Sequence, residues 1–171
     1  MYLLCHPLPH GDSEAALTAA VVIGVGNSYR RDDGVGPAVA AAVEALGLPG
    51  VLVCRGTETT AVLDAWEGAG LAVVVDAAVG GSPGRVRRSE LADLTRETVV
   101  SSHELSLRQA YELALALDRA PASVLVVTVD VADTGHGVGL SPAVAAALPE
   151  AVRVVRRAIG EQAQKTRHEQ P

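Results

Sequence analysis

The stretch Ala20-Val21-Val22-Ile23-Gly24-Val25 decides the fold, because it is a short, β-branched apolar run that ends among glycines. A run of this kind predicts a strand that is buried on both faces, as in a parallel sheet. The following residues, Asn27–Asp33, form a polar loop, and Pro37 is well placed for the first turn of a helix that ends near Gly47. The segment therefore predicts the strand, loop and helix that open an α/β protein.

Four further segments have the length and composition of strands, and helical patterns lie between most of them. The strand segments are Val51–Cys54, Leu71–Val75, Arg85–Leu91 and Ser123–Val129. Three helical patterns follow the strand segments. The first carries Val62, Leu63 and Trp66, the second begins at Ser101, and the third runs from Pro142 to about Ile159. Alternating strands and helices predict a five-stranded, largely parallel sheet covered on both faces. The more polar third segment in this series, Arg85–Leu91, is typical of an edge strand.

Length and composition favour a single domain with one core. The chain has 171 residues, of which 49% are hydrophobic, but aromatic residues make up only 2% and Phe is absent. Val, Leu, Ala and Ile must therefore fill the interior. We expect one domain over residues 20–160, preceded by a poorly patterned leader at 1–19 and followed by a polar, fraying tail at 161–171.

Charge and cysteine content disfavour several classes of partner and setting. A formal net charge of −6 argues against binding to nucleic acid or anionic membranes, which relies on clustered Lys and Arg. Cys5 and Cys54 are too few for the disulfide framework of a small secreted domain, and the leader does not resemble a signal peptide. We therefore expect two inert thiols and a cytoplasmic protein with no membrane-spanning segment.

The glycines after the first strand do not match a nucleotide-binding loop. A dinucleotide fingerprint would need glycine at the position of Tyr29, and no Gly-Lys-Ser/Thr follows. Adjacent Asp32 and Asp33 are better suited to a cation, and Asp32 is the candidate for capping the helix.

Three residues in or beside the predicted loops could share a divalent metal. Asp33 follows the first strand, Asp76 ends the third, and His103 falls in the first turn of the helix opened by Ser101. Two carboxylates and one imidazole form a set that borderline divalent metals accept, with coordination positions left open. From the pattern alone, Asp33 could equally be a helix cap, Asp76 a turn residue and His103 a structural or solvated histidine.

Four segments in order resemble the hydrogenase maturation endopeptidase family, and the resemblance spans about Val21 to Ile159. They are Gly24-Val25-Gly26-Asn27 with Asp32-Asp33-Gly34-Val35-Gly36, the strand ending in Asp76-Ala77, the run Ser101-Ser102-His103-Glu104-Leu105, and Gly137-Val138-Gly139-Leu140-Ser141-Pro142. Each segment alone is weakly specific, whereas all four in sequence are not expected by coincidence.

The resemblance implies a fold, a reaction and a site. The fold is a three-layer α/β/α sandwich with a five-stranded mixed sheet, in which Arg85–Leu91 is the natural antiparallel strand. The reaction is removal of a C-terminal extension from the large-subunit precursor of a nickel-iron hydrogenase, after nickel has been installed in that precursor. Asp33, Asp76 and His103 would be both catalytic and metal-contacting, in an aspartic-type or metal-assisted mechanism. No organic cofactor is implied, and we expect a monomer or weak dimer.

One loop differs from the family pattern, and other sites and functions are possible alternatives. The loop from Cys54 to Thr59 departs from the family, which usually has an aspartate and more glycine there. If this loop contacts the client, Arg55 could pair with an acidic group or Glu58 with a basic one and alter specificity; the alternative is a solvated surface loop. A second metal cluster of Asp130, Asp133 and His136 is disfavoured, because the histidine lies in a glycine-rich turn. The competing functions are a nickel-checkpoint or chaperone protein that binds the precursor without cutting it, and an unrelated hydrolase with acyl-enzyme chemistry, which we do not expect.

Overall fold

The computed structural model describes residues 4–5, 19–55, 65–91 and 102–169, and their side chains except those of 4–5, 102–106 and 169. Within these ranges the strands are β1 (Leu4–Cys5), β2 (Ala20–Gly24), β3 (Val51–Arg55), β4 (Leu71–Val79), β5 (Val86–Glu90) and β6 (Val124–Val131). A 3-10 turn, Arg31–Gly34, precedes helix α1 (Val35–Glu44), and the longer helices are α2 (Ser102–Ala116) and α3 (Pro142–Glu169).

The strands form one mixed sheet in the order β1-β3-β2-β4-β6-β5. Strands β3, β2, β4 and β6 are parallel, and β5 pairs antiparallel with β6, which confirms the predicted five-stranded sheet with an antiparallel edge. The two-residue β1 adds a sixth strand, antiparallel to β3. This strand lies in the leader, where no pattern predicted it, because two residues are too few to show a period.

Strand alternation sends side chains to two cores, one on each face of the sheet. Val22, Val73 and Val127 lie in the core under α1 and α3. Val21, Val74 and Val126 lie in the opposite core, which includes the buried Trp66 and residues of α2. Helices therefore cover both faces, and β-branched valine fills most of the space that aromatic residues would otherwise occupy.

The closing helix is longer than predicted. Helix α3 continues past the predicted end at Ile159 to Glu169, so the expected fraying of the tail is wrong for these residues. The extension is mostly exposed and is supported by ion pairs of Glu161 with Arg88 at 2.8 Å and Arg157 at 3.0 Å. Val62, Leu63 and Ser101 lie outside the described residues, although residues 65–66 are helical.

The expectation of inert, reduced thiols is wrong for Cys54, which is fully buried and disulfide-bonded. The sequence has one other cysteine, Cys5, and the β1–β3 register places its Cα opposite that of Cys54. Directly opposed residues in an antiparallel pair lie within the range that a disulfide spans.

Over the described part of the chain, none of the helices combines the length and the apolarity needed to cross a bilayer.

Candidate active site

The order of the strands in the sheet reverses between β2 and β4, and the carboxyl ends of these two strands lie side by side. From β2 the chain adds β3 on one side and then returns to add β4 on the other. Gly24, which ends β2, pairs with Val75, and the Val25 amide donates to the Val75 carbonyl at 2.8 Å. Asp76 is thus the first residue of β4 beyond its pairing with β2. The prediction that it ends the strand or forms a turn is wrong, because β4 continues to Val79 and Asp76 pairs with Thr128 of β6. In open α/β sheets the functional crevice lies at such a position.

The glycines of the first motif allow α1 to press directly on these strand ends. A Cβ on Gly36 would lie 2.1 Å from the Val25 carbonyl oxygen and 2.6 Å from that of Val75. A Cβ on Gly26, whose φ is +132°, would lie 1.9 Å from the carbonyl oxygen of Asp33. The glycines therefore serve close backbone packing that brings the Asp33 loop over the end of the sheet.

Asp76 is a nearly buried carboxylate, with 3% of its surface exposed. One of its oxygens accepts a hydrogen bond from the Ala77 amide at 2.8 Å. Its neighbours Val75 and Ala77 both face the core under α1 and α3. Alternation along the strand therefore places Asp76 on the opposite face of the sheet, the face that α2 covers.

Asp33 is half-buried, and its carboxylate accepts the amide of Asn27 at 2.9 Å. The 3-10 turn and α1 are both without a side-chain cap hydrogen bond at their N-termini. The capping alternative for Asp33 is thus wrong, because the side chain folds back onto its own loop. That hydrogen bond holds the carboxylate against the loop that follows β2.

His103 is the second residue of α2, and its side chain lies outside the described residues. Further along the helix, Leu107, Ala110 and Ala114 pack on the face of the sheet to which Asp76 belongs. Among the side chains that the structure describes, no three His, Cys, Asp or Glu residues are grouped to hold a metal. The three-residue metal site therefore stays a prediction, with Asp33 and Asp76 placed at one end of the sheet.

Asp32 does not cap α1 as expected but joins a distant segment. Its carboxylate is fully buried and accepts the Ser141 amide at 2.6 Å, the Ser141 hydroxyl at 3.0 Å and the Asp133 amide at 3.2 Å. Burial alone would raise the pKa of Asp32, but these hydrogen bonds outweigh it and lower the pKa below its ordinary value. The sequence offered no local signal for these partners, which lie more than 100 residues away.

The disfavoured cluster of Asp130, Asp133 and His136 shows other interactions. Asp130 is fully buried and pairs with Arg87, while the Ser82 amide donates to it at 3.3 Å. Asp133 pairs with Arg31 at 3.3 Å and accepts the Gly135 amide at 3.0 Å. These contacts give both carboxylates a structural role.

The loop that departs from the family is described only up to Arg55. This residue forms an ion pair at 2.9 Å with Glu44, at the end of α1. The remaining loop residues, Gly56 to Thr59, lie outside the described residues, so a contact of Glu58 with a client stays a prediction.

The expectation that the chain lacks a nucleophile-elbow motif is wrong at the level of sequence, because Gly80-Gly81-Ser82-Pro83-Gly84 has the Gly-x-Ser-x-Gly spacing. The structure places it in a turn between β4 and β5, whereas a nucleophile elbow joins a strand to a helix. The segment is therefore a turn between an inner strand and the edge strand.

Solved structures of hydrogenase maturation proteases share this fold. HybD from Escherichia coli is 22% identical, with 83% of this chain and 92% of that chain covered and a TM-score of 0.72. HycI from Thermococcus kodakarensis is 24% identical, with 84% and 91% covered and a TM-score of 0.62. A hydrogenase 2 maturation peptidase from Thaumarchaeota archaeon SCGC_AB-539-E09 is 28% identical, with 82% and 97% covered and a TM-score of 0.61.

Curated protein sequences give no significant match. The model of the hydrogenase maturation protease family, HycI, matches residues 38–158, which is well over half of the 171 residues. The matched range includes Asp76 and His103 and begins after Asp33. The chain belongs to the hydrogenase maturation protease family.

Proposed function

We propose that this protein is an endopeptidase that removes the C-terminal extension of a nickel-iron hydrogenase large-subunit precursor after nickel insertion. Its family supports a peptidase of hydrogenase maturation. The observation that carries the finer proposal is the placement of two carboxylates at the switch point of the sheet. Asp33 lies in the loop after β2, and Asp76 lies on β4 just beyond the last pair with β2.

Nickel enters this proposal as part of the substrate. Carboxylate oxygens and an imidazole nitrogen bind borderline divalent metals, and three protein ligands leave coordination positions for the client's own groups. His103 would supply the nitrogen, because it lies in the first turn of the helix that covers the same face of the sheet as Asp76. The enzyme would thereby distinguish a nickel-loaded precursor from an empty one.

Backbone amides prepare the two carboxylates for such contacts. The Asn27 amide donates to Asp33 at 2.9 Å, and the Ala77 amide donates to Asp76 at 2.8 Å. Each hydrogen bond restricts the rotation of a carboxylate, so less freedom is lost when the client binds. Both amides belong to backbone that packs tightly at the ends of β2 and β4.

The chemistry is hydrolysis of one peptide bond. A water molecule adds to the scissile carbonyl carbon and gives a proton to Asp33 or Asp76 as general base. The bond between carbon and nitrogen then breaks, and the leaving nitrogen takes up the proton that the carboxyl group had accepted, which restores the carboxylate. Contact with the nickel would hold the scissile bond beside the base and polarise the water. The mechanism would then use both an aspartate as base and a metal ion that activates the water.

The test is incubation of the protein with purified nickel-loaded and nickel-free precursor, followed by intact-mass measurement of the large subunit. We expect loss of the mass of the C-terminal extension only from the nickel-loaded precursor. Equal cleavage of both precursors would contradict the nickel-sensing part of the proposal. Binding to the loaded precursor without any mass loss would favour the non-cleaving checkpoint protein.

The proposal also includes a monomer or weak dimer. The net charge of −6 supports a client protein, not nucleic acid or an anionic membrane, as partner. Sedimentation velocity over a hundredfold concentration range tests the oligomeric state. A stable complex larger than a dimer would contradict it.

A further inference from the structure

The loop between β6 and α3, residues 132–141, lies against the segment that carries Asp33. The Arg31 amide donates to the Gly137 carbonyl at 3.0 Å, and the Gly137 amide donates to the Tyr29 carbonyl at 2.9 Å. The Asp32 amide donates to the Asp133 carbonyl at 3.0 Å. Backbone hydrogen bonds therefore join two loops that are about a hundred residues apart in the sequence.

The Asp32 side chain fastens both ends of the 132–141 loop. It accepts the Asp133 amide at one end and both the amide and the hydroxyl of Ser141 at the other. Ser141 directly precedes α3, where the positive end of the helix dipole favours a carboxylate. A buried carboxylate with three donors is a fixed anchor, because leaving any of those donors without an acceptor is costly.

The backbone that presents Asp33 depends on this anchor. Arg31 has a φ of +45°, a left-handed conformation that a residue with a side chain rarely adopts without support from its surroundings. Its amide is held by Gly137, and its guanidinium pairs with Asp133 at 3.3 Å. Both partners belong to the loop that Asp32 fastens.

We propose that Asp32 is a positioning residue, which sets the geometry of the neighbouring Asp33 by locking the 132–141 loop onto the turn at 31–34. This inference rests on the proposed function, because it assigns Asp33 a contact with the client. Asp32 itself is fully buried and has its donors within the protein, so it acts through Asp33 and not on the substrate.

The test compares Asp32→Asn with wild type in cleavage of nickel-loaded precursor, at a temperature where both are folded. We expect kcat to fall about 10- to 100-fold, as is typical when a supporting residue of a site is removed, with KM within about twofold. The matched control is Asp130→Asn, which alters another fully buried carboxylate with its own amide and arginine donors. We expect that control to lower stability and to keep the kcat of wild type.

Ser141→Ala keeps the test decisive if Asp32→Asn does not fold. It removes only the hydroxyl bond of 3.0 Å to Asp32, so we expect a smaller fall in kcat of about three- to tenfold. Wild-type kcat in both Asp32→Asn and Ser141→Ala would overturn the inference, and so would a rise in KM at constant kcat. An equal fall in Asp130→Asn would also overturn it. Failure of the wild-type protein to cleave would instead overturn the proposed function.

Discussion

Gly36 of α1 lies so close to Val75 of β4 that a Cβ on the glycine would be 2.6 Å from the valine carbonyl oxygen. The same Cβ would be 2.1 Å from the carbonyl oxygen of Val25. Neither oxygen can move away freely, because each belongs to backbone at the ends of β2 and β4. The helix therefore rests directly on the strand ends beside Asp76.

Gly36→Ala should destabilise the fold by about 1–3 kcal/mol or more, since overpacking against backbone forces a shift of the helix. Gly160→Ala is the matched control, because no atom outside its own stretch of helix backbone lies within 4 Å of its Cβ position and the residue lies inside α3. That substitution should raise stability by about 0.5–1 kcal/mol. Urea unfolding of both variants measures the difference, and equal midpoints would contradict the close packing of α1 on the strand ends.

The Asp32 carboxylate should make stability depend on pH in the acid range. Its folded-state pKa is lowered from the ordinary value of 3.8, chiefly by hydrogen bonds from Ser141 and Asp133 that outweigh the effect of burial. A group with a lowered folded pKa contributes stability that is complete above its unfolded pKa and is lost as pH falls through its folded pKa. Asp32→Asn should therefore be less stable than wild type at neutral pH, by about 1–3 kcal/mol.

The free energy of unfolding of both proteins, measured by denaturant titration from pH 7 down to about pH 2, checks this expectation. The difference between the curves should shrink as pH falls below 3.8. A difference that stays constant over this range would show that the charge of Asp32 does not contribute.

The disulfide at Cys54 should stabilise the protein. Cys54→Ser should lower the free energy of unfolding by about 2–4 kcal/mol under oxidising conditions, mainly because the unfolded chain loses a constraint. Cys5→Ser is the matched variant, and the two should have equal effects that do not add, because the chain has two cysteines. Added reductant should lower the stability of wild type and leave the variants unchanged. Additive effects would contradict a shared bond.

Much of the fold follows from local pattern. The valine-rich runs at β2, β4 and β6 are buried on both faces, so composition and length identify them as inner strands. The polar character of β5 indicates its edge position correctly. Helix α3 was predicted too short, because residues after Ile159 are polar and their support comes from ion pairs such as Arg88–Glu161.

The candidate site was only partly predictable. A short apolar run followed by an acid identifies Asp76, although β4 continues past it to Val79, and the family motif identifies Asp33, since both signals lie within a few residues. The role of Asp32 has no such signal, because short-range rules favour a helix cap and its partner Ser141 lies 109 residues away. Sequence pattern detects interactions between residues that are close in the chain. The contact of Asp32 with Ser141 forms only when the sheet has brought the carboxyl ends of β2 and β6 to the same end of the fold.

The most direct measurement of the central claim is the mass of the large subunit after nickel-loaded precursor has been incubated with the Asp76→Asn variant. This substitution keeps the size of a nearly buried side chain and removes its charge. We predict no detectable cleavage by Asp76→Asn, while Glu150→Gln, an exposed carboxylate change on α3, cleaves like wild type. Undiminished cleavage by a folded Asp76→Asn variant would contradict the claim that this carboxylate takes part in nickel-dependent proteolysis.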